Sequence, residues 1–152
     1  MSRLLKTLEL GVDVCLTVTI LDGLVIARSL FHHSMNYRSV ILFGKAQLVA
    51  SQEEKMKALQ VLSEQMIPQR WQQARLPNAQ ELKATTVLSL AIEEGSAKIR
   101  TGEPIDDPED YSLPFWAGQL PLKLTSGVPI PDSQLSPEIN VPENIANYHR
   151  GV

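Results

Sequence analysis

A single cysteine in 152 residues excludes an internal disulfide framework and any metal site built from several thiolates. The three histidines, an adjacent pair at His32 and His33 and one near the C-terminus, are poor material for a metal cluster, so no metal is expected. No apolar run approaches the length of a membrane span, and the N-terminus has no signal-peptide profile. A cytoplasmic protein without membrane contact is the expectation. A net charge of −3 gives general nucleic-acid binding no electrostatic support. Repeats and low-complexity tracts are absent. What remains, 43% hydrophobic and 20% charged, is the composition of an ordinary soluble protein, most simply one domain long enough for a real core.

Charge and proline divide the chain. Residues 1–102 carry 12 basic against 9 acidic side chains, whereas residues 103–152 carry 2 against 8 and eight of the ten prolines. A folded domain over 1–102 followed by an extended, acidic, Pro-rich arm over 103–152 is expected, the arm lying on that domain or on a partner chain.

Within 1–102 the local signals are strong. Ser2 to Leu10 reads as a short helix with Leu4, Leu5 and Leu8 on one stripe and Gly11 closing it. Val12, Val14, Leu16, Val18 and Ile20 alternate with polar residues, the period of a strand. Asp22-Gly23 is a two-residue turn signal, predicting that Leu24 to Arg28 returns as a hairpin. A third strand is expected over about Arg38 to Val49, with a bulge or bend at Gly44. Ser51 and Asn78, each followed three residues later by Glu, predict two capped helices, the first ending before Pro68. Thr85 to Arg100 reads as a fourth strand interrupted near Glu93-Glu94-Gly95. Antiparallel strands with a helix between two of them indicate an α+β, mainly β domain with a barrel-like sheet.

The densest chemistry is Phe31-His32-His33-Ser34-Met35-Asn36-Tyr37-Arg38-Ser39, which runs directly into an apolar strand. Two imidazoles, an amide, a phenol, a guanidinium and a hydroxyl at a strand mouth exceed what packing needs and suit a small, polar, anionic ligand. Lys98 and Arg100, two apart on the last strand, share a face and are able to meet one anionic group. Each residue also has a structural reading: Arg38 as a strand-end ion-pair partner, Asn36 as a turn residue, Tyr37 as a barrel-end cap, Lys98 and Arg100 as a solvated edge. His32 and His33, as imidazoles able to give or take a proton, are the weak candidates for proton transfer, or else exposed loop residues.

These segments closely resemble the pyridoxamine 5′-phosphate oxidase-related FMN-binding proteins, in particular the nitroimidazole-resistance-like flavin-nucleotide-binding branch. The resemblance rests on Ser2-Arg3-Leu4-Leu5, on Phe31 to Val40, on Ser96-Ala97-Lys98-Ile99-Arg100-Thr101-Gly102, and on Trp116-Ala117-Gly118 with Leu120-Pro121-Leu122. It implies an FMN-binding split β-barrel, a homodimer with FMN at the subunit interface, and a small-molecule substrate of unknown identity. It also implies cofactor contacts from Ser2, Arg3, Asn36, Tyr37, Arg38, Ser39, Lys98 and Arg100, with Ser2 and Arg3 at a helix start facing the phosphate. The serine-arginine motif follows two or three strands in the family but begins here at residue 2, so either the start is misplaced or the chain is a truncated product, and the barrel is expected to lack its N-terminal strands. Leu4 stands where the oxidase proper has a lysine and Arg100 where it has a tryptophan, so its vitamin-making reaction is not carried over. The expected function is that of a flavin-dependent oxidoreductase; a non-catalytic flavin- or haem-binding module, or a truncated remnant with impaired flavin binding, is the alternative.

Overall fold

A computed structural model describes residues 3–149 of the chain. The chain divides into two compact units, one from residues 1–46 and 90–123, the other from 47–89 and 124–152.

The first unit begins with helix α1 (Arg3–Glu9). Thr7 Oγ1 donates to the Arg3 carbonyl, and Gly11, at φ +69°, takes the left-handed turn that ends the helix, as its sequence predicts. Strand β1 (Asp13–Ile26) then pairs antiparallel with β2 (Ser34–Leu48), from Asp13↔Lys45 to Val25↔Ser34. On the far side of β2 lies β4 (Glu94–Arg100), in register from Phe43↔Glu94 to Tyr37↔Arg100. On the far side of β1 lies β5 (Gly118–Pro121), which pairs with Gly23 to Ile26. The unit is thus an antiparallel β4–β2–β1–β5 sheet. Among the described residues, no strand lies outside β4 or beside the Asp13–Leu21 edge of β1, so the sheet is open rather than closed.

The expected hairpin at Asp22-Gly23 does not form: β1 runs straight through it. The register instead slips by one residue between Leu21 and Gly23, leaving Asp22 as the extra residue of a bulge. A Cβ on Gly23 would stand 3.0 Å from the Leu120 carbonyl oxygen, so glycine serves the close approach of β5 rather than a turn. The bulge expected at Gly44 is likewise absent, since Val14↔Gly44 is in register. A Cβ there would instead meet Leu90 Cδ1 at 2.9 Å. The stretch expected as one interrupted strand is two, β3 (Leu88–Leu90) and β4, with the break before Glu94 and Gly95 inside β4. Strand β5 falls in the Pro-rich stretch, where Pro121, which lacks an N–H, stands on an edge strand and Leu122 N–H still donates to the Asp22 carbonyl at 3.0 Å.

The second unit carries α2 (Gln52–Met66) and α3 (Ala79–Ala84). Ser51 Oγ accepts the Glu54 N–H to cap α2, and Asn78 with Glu81 forms a complete capping box on α3, both as predicted. Strand β3 begins alongside the end of β2, where Val49 N–H donates to the Val87 carbonyl at 3.0 Å. A short helix α4 (Glu143–Ala146) closes the described chain, and Asn144 Nδ2 donates to the Pro68 carbonyl.

Buried apolar side chains are few: Val25, Ala27 and Leu82 among the described residues. Val25 lies where β1 is flanked by both β2 and β5, and Ala27 just past the strand's end, so the packed centre of the first unit sits at the end of the sheet that leads into the histidine loop.

Candidate functional site

Side chains alternate across a sheet, so the register sorts the candidate residues by face. Thr19, Ser39 and Lys98 form one cross-strand row, and Leu21, Tyr37 and Arg100 the next. Thr17, Ile41 and Ser96 continue the same face. Thr19 Oγ1 and Ser39 Oγ lie 2.8 Å apart, sharing one proton and leaving hydroxyl capacity for a ligand. Lys98 is exposed and forms no ion pair among the described residues. This face is polar. The opposite one, carrying Leu16, Val18, Ile20, Val40 and Ile99, is apolar.

Arg38 stands on that apolar face, one residue away from Ser39. Its Nε and Nη2 donate to the two carboxylate oxygens of Asp22 at 3.0 and 2.8 Å, a bidentate pair. These hydrogen bonds hold Asp22 below its ordinary carboxylate value and raise Arg38 further. The strand-end ion pair is thus what Arg38 makes, and the bulge that displaces Asp22 supplies its partner.

Asn36 is buried and fully engaged. Its Nδ2 donates to the Gly102 carbonyl at 3.1 Å and to Gln119 Oε1 at 2.8 Å, while its Oδ1 accepts from Arg100 Nη1 at 2.8 Å. One side chain thereby joins β2 to the end of β4 and to β5. Arg100 also reaches the Met35 carbonyl at 3.4 Å. Arg3 lies exposed in the first turn of α1, and Ser2 falls outside the described residues.

The histidine loop is held by an element the sequence did not reveal. Asp106, buried, accepts the Arg28 and Ser29 N–H groups at 3.0–3.1 Å and the Arg28 guanidinium at 3.2 Å. Burial pushes its carboxyl up, but these donors outweigh that and leave it below the ordinary value. The Arg28 guanidinium also lies 5.1 Å over the Tyr111 ring. The next residue, Asp107, has its Oδ2 3.3 Å from His32 Nε2. His32 sits in a 3₁₀ turn (Leu30–His32) capped by Ser29, with the Phe31 ring edge-on at 5.3 Å. His33 Nδ1 accepts the Ala27 N–H at 3.2 Å. Two buried polar atoms, Arg28 Nε and Ser34 Oγ, have no partner in this region. Asp106 and Asp107 carry no sequence signal beyond the general acidity of the arm, and the Thr19–Ser39–Lys98 row becomes visible only once the register is known.

No cluster of three or more metal-ligating side chains occurs among the described residues. No described helix is long and apolar enough to cross a membrane.

Residues 1–99 match the family model described as pyridoxamine 5′-phosphate oxidase. The chain belongs to this family. Among solved structures it is similar to the flavocytochrome Anf3 from Azotobacter vinelandii, with 44% identity, TM-score 0.91, and 99% of this chain and 70% of that one covered. It is also similar to the FAD and heme binding protein from Mycobacterium smegmatis, with 35% identity, TM-score 0.89, and coverage of 95% and 71%. No curated protein matches. The mainly antiparallel, helix-poor architecture is that of this family's split-barrel fold, with the sheet left open.

Proposed function

We propose that the polar face of the β4–β2–β1 sheet holds a flavin nucleotide, FMN in the simplest case, and that the protein is a flavin-dependent oxidoreductase. The Thr19–Ser39–Lys98 row carries this reading: a hydroxyl pair beside an ammonium with no ion pair among the described residues, in a chain of this family. The Lys98 ammonium is suited to the dianionic phosphate, and the Thr19 and Ser39 hydroxyls and the Tyr37 phenol to the polar edge of the ring. Leu21 and Ile41, on the same face, offer apolar surface to the rest of the ring. When bound, the flavin supplies hydride and single-electron transfer, while these side chains orient it and offset its charge.

Titration of the protein with FMN and with FAD, followed by quenching of flavin fluorescence, tests the proposal. Saturable uptake of one flavin per chain is expected. Lys98→Ala weakens it about tenfold or more, the worth of a charge-assisted hydrogen bond. Uptake of neither flavin refutes the proposal; FAD bound more than tenfold tighter than FMN refutes the mononucleotide and leaves the dinucleotide.

The assembly we propose is a cytoplasmic homodimer. Its support is the apolar face opposite the polar one, where Val18 is 57% and Ile99 67% exposed, more than isolated surface residues account for. Sedimentation at a single protomer mass would overturn it. A second reading adds haem beside the flavin, because the names of both solved relatives carry a haem or a cytochrome and the histidine loop offers an imidazole backed by a carboxylate.

A further inference from the structure

Haem ligation asks for a neutral imidazole with an in-plane lone pair to give, a partner for its other ring nitrogen, and apolar surface for the porphyrin. The donor set of the histidine loop meets these demands at one residue only. Asp107 is an acceptor, so the contact between its Oδ2 and His32 Nε2 requires the proton of His32 on Nε2. The His32 lone pair is then on Nδ1, which has no partner among the described residues. His33 is set the other way: its Nδ1 lone pair is spent on the Ala27 N–H, so its proton sits on Nε2 and no lone pair is left. Freeing it would strand a backbone donor of a buried residue.

The surroundings agree. Asp107 backs His32 as carboxylates back metal-bound histidines, and the adjacent Asp106 ties that stretch of backbone to the loop. The Phe31 ring lies edge-on to the imidazole, with centroids 5.3 Å apart. Leu30 and Phe31 are 85% and 88% exposed, an apolar pair beside His32 that the first unit itself leaves uncovered. The lone cysteine, Cys15, excludes attachment of haem through two thioethers of this chain.

We propose that His32, not the adjacent His33, is the axial ligand of a non-covalently bound haem, with Asp107 as its positioning residue; this rests on the haem reading above. Ligation would form one bond, from the neutral imidazole lone pair to iron, and release the water held there by free hemin; no electron is transferred.

The test is hemin titration of the full chain, followed by its Soret absorption, with flavin uptake measured on the same samples. The wild-type protein takes up one hemin with an imidazole-ligated spectrum. His32→Ala loses that spectrum, keeps its flavin, and recovers the spectrum on addition of free imidazole. His33→Asn, whose side-chain oxygen still accepts the Ala27 N–H, keeps it, and Asp107→Asn weakens hemin binding about tenfold or more. An unchanged spectrum in His32→Ala, or its loss in His33→Asn or His149→Ala alone, overturns the assignment while haem binding stands. A wild-type protein that binds flavin but no hemin overturns both the haem reading and the assignment, and leaves the flavin proposal intact.

Discussion

Asn36 sits in the segment richest in candidate cofactor contacts, yet its hydrogen-bonding capacity is spent inside the protein, which makes Asn36→Ala the sharpest test of structure against function. The substitution strands the Gly102 carbonyl, the Gln119 amide and one arm of the Arg100 guanidinium. Two neutral bonds at about 1 kcal/mol each and one to a charged group at about 1.5–3 kcal/mol sum to roughly 4 kcal/mol. With a urea dependence of about 2 kcal/mol per molar, the unfolding midpoint falls by about 2 M. Gln119→Ala removes one of the three bonds and should shift it by about 0.5 M. The two losses should fall short of additive in the double variant, because they share that bond. Flavin affinity, measured at low urea where the variants are still folded, should be unchanged. A midpoint within about 0.3 M of wild type, together with a collapse of flavin binding, would refute the reasoning and make Asn36 a cofactor contact.

Three further outcomes are expected. Arg75 and the Asn78 N–H hold Glu81 at a pKa of about 2, below its ordinary 4.5. The lowered value means that its stabilising contribution is whole above pH 4.5 and is lost as pH falls from there towards about 2. Glu81→Gln should therefore be less stable than wild type at pH 7 and should converge with it at the acid end, as read from urea midpoints across that range. By the same sign, Asp22→Asn should flatten the pH dependence of stability below 3.8, because Asp22 is held below that value by Arg38. An acid limb identical to wild type would contradict the pairing. Val25, 1% exposed, loses two carbons in Val25→Ala, at about 0.8 kcal/mol each plus a cavity term, so about 2–3 kcal/mol in chemical denaturation is expected.

Signals carried within a few residues were legible in the sequence. The Ser51 and Asn78 caps, the Gly11 helix end and the alternation of β1 each depend on neighbours in the chain, and the structure has them where the pattern places them. Asp22-Gly23 misled because a turn and a bulge ask for the same residues, and only the approach of Leu120 from a distant segment decides between them. Strand β5 was hidden by proline, which reads as an arm until the edge it occupies is known. The site divides the same way. That Ser39 and Lys98 are polar is plain in the sequence; that they share a row, while Arg38 turns to the other face, follows from pairing across 59 residues. The Arg28–Asp106 contact, across 78 residues, has no local signal.

The flavin is proposed to lie against the polar face of the β4–β2–β1 sheet. A crystal structure of the protein soaked with FMN tests it directly. The phosphate is expected within hydrogen-bonding distance of Lys98 and the ring over Ser39 and Thr19. A flavin seated against Leu16, Val18 and Ile99, or remote from the sheet, would contradict it.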